Sequence, residues 1–385
     1  MKQKIIGVIK KDTVLFAAMV LAVISAFFVT PSLNYVNYID FRVLGILLSL
    51  MIIMAGLQKN GLFDAIGCRL LEKTKNTMQL SMVLVFLCFF SSMLITNDVA
   101  LITFVPFAVM TMQKCGQEKF LIPVIVLQTL AANLGSMLTP IGNPQNLYLY
   151  HLADMKMREF IAVLLPYTIA SAILLFLSVF FVCRKKESIA SGGKITMQSG
   201  ITAVENIGIR KEMFFRNVVY LFLFALSLMV VLRVLPYYAV LFAVVAAVFA
   251  MDRQVFKNVD YSLLLTFTAF FIFTGNMGQM EAVHDVLQKI VGGRETGIGI
   301  VVSQLISNVP AALLLSGFTS DYKKLLVGVN LGGLGTLIAS MANLISYKIY
   351  VHRYNENKGK YFMCFTLANV GFLTVLLILY ALLGC

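Results

Sequence analysis

Two short clusters of hydroxyl and amide side chains interrupt otherwise apolar stretches: Ser92-Met-Leu-Ile-Thr96-Asn97-Asp98 and Ser303-Gln-Leu-Ile-Ser307-Asn308-Val309. In each, two hydroxyls stand four residues apart, so on a helix they share a face one turn apart, and an asparagine follows the second. Hard oxygens of this kind suit Na⁺ rather than a soft metal. Downstream, Pro140 and Gly142-Asn143-Pro144 stop one apolar run, and Gly335 with Ala339-Ser340 loosens another. A break in a membrane helix frees backbone groups. Half-helix N-termini offer N–H donors and a partial positive charge, and half-helix C-termini offer carbonyls. Together they can hold an anion and a cation at one depth without a fixed side-chain charge. Small residues also serve simply to pack membrane helices closely, but two clusters joined in the same way to two broken segments favour a site.

Asp98 is the acidic residue deep inside an apolar region. A carboxylate there is costly and has a functional reading as a proton or cation carrier. A structural reading stands beside it, in which the carboxylate caps the half-helix that follows.

The elements that must position these residues are membrane spans. Of 385 residues 59% are hydrophobic and 13% charged, about half the charged share of a soluble domain, and the mean hydropathy is +0.88. Such a chain lacks the polar surface that water requires, and a bilayer is the solvent that fits. The formal charge of +13 reads as basic loops on the cytoplasmic side rather than as a nucleic-acid surface. Cys68, Cys88, Cys115, Cys183, Cys364 and Cys385 are scattered without metal spacing and are expected to be free thiols. The run Val14–Val29 follows Lys2, Lys4, Lys10 and Lys11 but has no small-x-small cleavage site, so it reads as an uncleaved first helix.

Continuous apolar spans fall near 13–30, 41–57, 120–138, 160–183, 217–235, 237–251, 261–276, 324–338 and 361–384. Regions 78–113 and 297–318 carry the polar clusters at their middles and fit re-entrant hairpins. Segments 58–75 and 278–294 are amphipathic and read as interfacial helices. With the N-terminus in the cytoplasm and both hairpins returning to their own side, the only basic residues outside are Arg42, Lys156, Arg158, Arg233, Lys289, Arg294, Lys323 and Lys324. The organisation expected is an N-terminal transmembrane helix (1–40) followed by repeat 1 (41–183), with hairpin 78–113 and broken helix 120–153. A cytoplasmic linker (184–216), connecting transmembrane helices (217–260) and repeat 2 (261–385), with hairpin 297–318 and broken helix 324–351, complete it.

The repeat is visible in register. The hairpin blocks share Ser, Leu, Ile, Asn and Ala. The broken segments, Asn133 to Leu147 and Asn330 to Leu344, share Asn, Leu, Gly, Thr, Ile, Asn and Leu. Asn, Gly, Thr and Ser are uncommon in apolar sequence, so two such blocks in one order are poorly explained by chance. Their opposite orientations are those of an inverted-repeat transporter.

Ile95-Thr-Asn-Asp-Val-Ala-Leu, Leu138-Thr-Pro-Ile-Gly-Asn-Pro-Gln-Asn and Ile306-Ser-Asn-Val-Pro resemble the citrate-transporter-like group of the ion transporter superfamily. That group holds divalent-anion/sodium symporters, arsenite permeases and NhaD-type antiporters, and the chain is most similar to its YbiR-like inner-membrane branch. The resemblance spans nearly the whole chain. It implies a homodimer with a scaffold domain and a transport domain that moves like an elevator. It also implies one cation site at Ser92, Thr96, Asn97 and the Gly142 backbone, and another at Ser303, Ser307, Asn308 and the Ala339 backbone. Substrate contacts would fall on Asn97, Asn143, Asn308 and Ser340. Asp98 and Val309 stand where the symporters' pattern has threonine, which puts dicarboxylate specificity and two-sodium stoichiometry in question. The Thr-Asn-Asp tip is nearer the arsenite-permease pattern.

The function expected is secondary transport of a small anion, an organic carboxylate or inorganic oxyanion, across the bacterial inner membrane, with Na⁺ or H⁺ as the coupling ion and no cofactor. The alternatives are an Na⁺/H⁺ antiporter using Asp98 and an oxyanion efflux permease. The chain has no HExxH, no GxGD and no Ser/His pairing at membrane depth, and is not read as an enzyme.

Overall fold

The computed structural model describes residues 13–33, 35–71, 74–183, 207–354 and 357–383. Among them every regular element is helical. The first half runs α1 (Thr13–Phe28), the single turn α2 (Tyr35–Tyr38), α3 (Phe41–Lys59), α4 (Leu62–Leu71), α5 (Thr77–Ser91), α6 (Asn97–Lys114), α7 (Leu121–Ser136), α8 (Pro144–Leu152) and α9 (Met157–Val182). The second runs α10 (Ile207–Val231), α11 (Tyr237–Met251), α12 (Tyr261–Gly278), α13 (Glu281–Val291), α14 (Glu295–Ile306), α15 (Asn308–Ser316), α16 (Tyr322–Leu331), α17 (Met341–Arg353) and α18 (Lys358–Leu383). Among the described residues, six stretches are long and apolar enough to cross a membrane, including Phe41–Lys59, Met157–Val182 and Lys358–Leu383.

Burial is inverted relative to a water-soluble domain. Asn146, Asn343 and Asn369 are fully buried, whereas Phe242 is 75% and Leu367 67% exposed. Polar groups gather where helices meet and satisfy one another, and apolar side chains face outward, as a hydrocarbon solvent demands. Cys68, Cys88, Cys115, Cys183 and Cys364 form no disulfide among the described residues.

Region 78–113 resolves into α5 and α6, separated by 92–96. Region 297–318 resolves into α14 and α15, separated by Ser307 alone. Ser307 has φ 78°, a conformation unusual for a residue with a side chain. The region 120–153 is α7, a non-helical crossing and α8; 324–351 is α16, a second crossing and α17. In each half both arms of the helix pair pack on the first part of the broken helix: α5 and α6 on α7, α14 and α15 on α16. Gln128 of α7 ties the first set together, its amide donating to Leu84 O at 3.2 Å and Phe104 O at 3.3 Å.

The short helices at 62–71 and 281–291 lie within the two segments read as amphipathic. Of the expected linker, 184–206 lies outside the described residues, and 207–216 forms the opening turns of α10 rather than a loop. Helices α3, α10 and α11 pack on one another, and α3 and α11 also pack on the 3₁₀ turn Arg253–Asn258. There Asp252 accepts from Lys59 Nζ at 2.6 Å and from the Gln254 backbone N–H at 3.1 Å. Helix α12 packs along α1.

Candidate functional site

Four helix starts are capped by a side chain: Asp40 accepts from Val43 N, Asn76 from Gln79 N, Asp260 from Leu263 N and Asp321 from Lys324 N. The starts of α7, α9, α11, α13 and α14, at Phe120, Lys156, Pro236, Met280 and Arg294, have no side-chain cap bond. At the clusters, Thr96, Asn143, Ser307 and Ser340 occupy the cap positions of α6, α8, α15 and α17 and make no side-chain cap bond. These four starts converge. Asn97, Asp98, Pro144, Gln145, Ser307, Asn308, Val309, Ser340 and Met341 line one open cavity, about 550 Å³ of space including its mouth. Val14 of α1, and Asp260, Leu263 and Thr266 at the start of α12, complete its wall. Four partial positive charges therefore point at one small space.

Backbone bonds lock each tip to a crossing. Asn97 N–H donates to Gly142 O at 3.3 Å, and Asn308 N–H to Ala339 O at 2.9 Å. The crossings are held open by an asparagine each. Asn146 Nδ2 donates to Ser136 O, Met137 O and Thr139 O; Asn343 Nδ2 donates to Gly333 O and Thr336 O. The Thr139 hydroxyl donates to Met93 O, and the Thr336 hydroxyl to Gln304 O. Carbonyls that a continuous helix would have used are thereby satisfied. The two halves then clasp each other: Asn133 Nδ2 donates to Asn343 Oδ1 at 2.7 Å, and Asn330 Nδ2 to Asn146 Oδ1 at 2.7 Å. Asn133 also accepts through Oδ1 from Asn97 Nδ2 and from Ser340 Oγ, each at 3.0 Å.

Of the residues singled out from sequence, Asn97, Asp98, Ser307, Asn308 and Ser340 line the cavity. Thr96 precedes it as the cap residue of α6. Asn143 is buried one residue before Pro144, its amide donating to Ser136 Oγ at 2.7 Å. Gly142 and Ala339 lie directly behind the tips through their carbonyls. Ser92 and Ser303 are fully buried away from the cavity lining, with hydroxyls donating to Phe89 O and Gly299 O of their own helices. Asp98 sits in the first turn of α6, where the helix dipole favours its charge, yet its Oδ1 has no hydrogen-bond partner.

Three polar cavity residues escaped the sequence reading. Gln145 is 1% exposed, and neither of its side-chain polar atoms has a partner. Its signal was its place inside the Gly-Asn-Pro-Gln-Asn crossing. Asp260 and Thr266 reach the cavity from a helix remote in sequence, and no local pattern announces that. Among the described residues lining the cavity there is no Lys, Arg or His.

Comparison with known proteins gives the architecture a family. A family model described as citrate transporter matches residues 4–320. An uncharacterised transporter of Methanocaldococcus jannaschii is 32% identical over 314 residues, covering 81% of this chain and 82% of that protein. The inner membrane protein YbiR of Escherichia coli is 32% identical over 320 residues, 81% of this chain and 80% of its own. A silicon efflux transporter of Oryza sativa, LSI3, is 28% identical over 134 residues, 34% of this chain and 27% of that protein. The chain belongs to the citrate transporter family of membrane transporters.

Proposed function

We propose that this protein is a secondary active transporter that carries a small anion across the bacterial inner membrane, coupled to Na⁺ or H⁺. The observation that carries this reading is the convergence of four uncapped helix starts and two asparagine tips on one cavity. An anion is favoured at such a point, and polar groups with no binding role would be expensive at that depth. Asn97, Asp98, Asn308 and Ser340 would contact the solute, with Asn143 supporting them. Coupling cations would lie behind the tips, one near Ser92, Thr96, Asn97 and Gly142 and one near Ser303, Ser307, Asn308 and Ala339.

The matched bonds of the two crossings support two structural repeats, and the orientation expected from charge makes them inverted. If the N-terminus is cytoplasmic, as the charge distribution suggests, Val14 and Asp260 would lie toward the cytoplasm and the cavity would face inward. Alternating access would then move the clasped unit of α5 to α8 and α14 to α17 against α3, α10 and α11 in an elevator-type step, in a homodimer surrounded by lipid.

Purified protein in proteoliposomes tests this. With an imposed Na⁺ or H⁺ gradient, at least one of citrate, succinate, glycolate, arsenite, borate and silicate should accumulate, and collapsing the gradient should stop it. No gradient-dependent uptake of any of them would contradict the proposal. A second reading, Na⁺/H⁺ antiport through Asp98, is favoured by one feature: Asp98 and Asp260 share the cavity without a basic side chain among the described lining residues. Sodium-driven proton movement with no anion present would select it.

A further inference from the structure

The two halves supply unequal walls to the cavity. In register, Asp98 of the first half corresponds to Val309 of the second, Pro144 to Met341 and Gln145 to Ala342. Where one half sets a carboxylate and an amide, the other sets hydrocarbon. The polar wall is also unfinished. Gln145 is 1% exposed with Nε2 and Oε1 both unpartnered, and Asp98 Oδ1, on a residue that lines the same cavity, is unpartnered too. Buried donors and acceptors in a well-packed protein normally meet partners. A group left open in a cavity wall is where a bound molecule would complete the set.

Charge limits what that molecule can be. The described lining residues include two carboxylates, Asp98 and Asp260, and no Lys, Arg or His. The only positive potential comes from helix starts, about half an elementary charge each. Four starts supply about two positive charges together, which the two carboxylates offset when ionised, so a solute with three negative charges is opposed. A primary amide offers donors and an acceptor in one plane, so it reads a group that both accepts and donates, such as a hydroxyl or a protonated carboxyl.

We propose that Gln145 is the specificity-determining residue of the site, selecting a small hydroxy acid that carries at most one negative charge. Its polar end meets Gln145 and Asp98, and its remainder lies against Val309 and Met341. This rests on the cavity being the solute site, and it excludes citrate despite the family's description.

The test is a thermal-shift titration of the purified full-length protein with glycolate, boric acid, succinate and citrate, since a ligand that binds the folded state raises its melting temperature. Glycolate or boric acid should stabilise the wild type, and citrate should not. Gln145→Leu should keep the ligand-free melting temperature and weaken binding of that probe about tenfold or more, close to 1.4 kcal/mol. Gln145→Met guards against a fold defect peculiar to leucine and should behave the same way. Stabilisation by citrate or succinate above the small acids overturns the proposal, as does no response to any of the four. Asn97→Ala separates the two levels. If it loses the probe while Gln145→Leu and Gln145→Met bind normally, only the selectivity assignment falls. If Asn97→Ala itself binds normally, the cavity is not the site.

Discussion

The Asn133 amide donates to Asn343 Oδ1 at 2.7 Å across the two halves of the chain. Asn330, which matches Asn133 in register, returns the bond to Asn146, which matches Asn343, at the same 2.7 Å. Two equivalent bonds exchanged in opposite directions are what a two-fold relation produces, and each joins one crossing to the helix that opens the other. Asn133→Ala and Asn343→Ala should each destabilise the protein, and the double variant should cost less than their sum. The expected coupling is about 1 kcal/mol, the scale of hydrogen bonds inside membrane proteins. Thermal unfolding in detergent reads it, and strict additivity would show that the bond does not contribute.

Close approach of helix pair and broken helix depends on glycine in both halves. A Cβ at Gly135 would lie 2.1 Å from Phe89 O and 2.7 Å from Ser92 Oγ; at Gly332 it would lie 2.6 Å from Ser303 Oγ. The buried serines therefore pack at these contacts. Gly135→Ala and Gly332→Ala should each lose about 1–3 kcal/mol through overpacking. Gly297 has nothing within 4 Å of a built Cβ, so Gly297→Ala should be neutral or slightly stabilising in its helix.

Asp98 either carries the coupling charge or balances the start of α6. The other carboxylate lining the cavity is Asp260, held as the cap of α12 by its bond from Leu263 N at 3.2 Å. Asp98→Asn should flatten the pH dependence of gradient-driven transport while leaving exchange of solute without a gradient. A pH profile identical to the wild type would assign Asp98 to a structural role.

Asp252 has a different pH signature, at the junction of α3, α10 and α11. Partial burial pushes its carboxyl up, but the hydrogen bonds from Lys59 and Gln254 and the nearby Arg216 outweigh this and hold it below its ordinary value. A lowered folded value means that the stabilisation is present above the ordinary carboxylate range and fades as pH falls through the lowered value. Asp252→Asn should cost about 1 kcal/mol or less at neutral pH and nothing in strong acid. Melting temperature against pH for both proteins checks the convergence.

Much of this was legible in the sequence because membrane helices advertise themselves twice, by apolar length and by the rarity of polar residues within them. Thr96-Asn97 and Ser307-Asn308 stood out against hydrocarbon, and both lie at helix starts. The crossings were legible from Pro140, Pro144 and Gly335, where helix geometry fails. The site's remainder is three-dimensional. Oxygen count singled out Ser92 and Ser303, and the packing adds that both stand against glycines of the neighbouring helix, Gly135 and Gly332. Asp260 precedes a span like any capping aspartate, and only the packing of α12 brings it to Asp98.

Flux through Asn97→Ala and Asn308→Ala, each reconstituted beside the wild type, tests the proposed site most directly. Both side chains are only 4% exposed and line the cavity from opposite halves. Each variant should lose gradient-driven solute uptake while eluting as the same oligomer as the wild type. Wild-type uptake in either variant would contradict a solute site between the two tips.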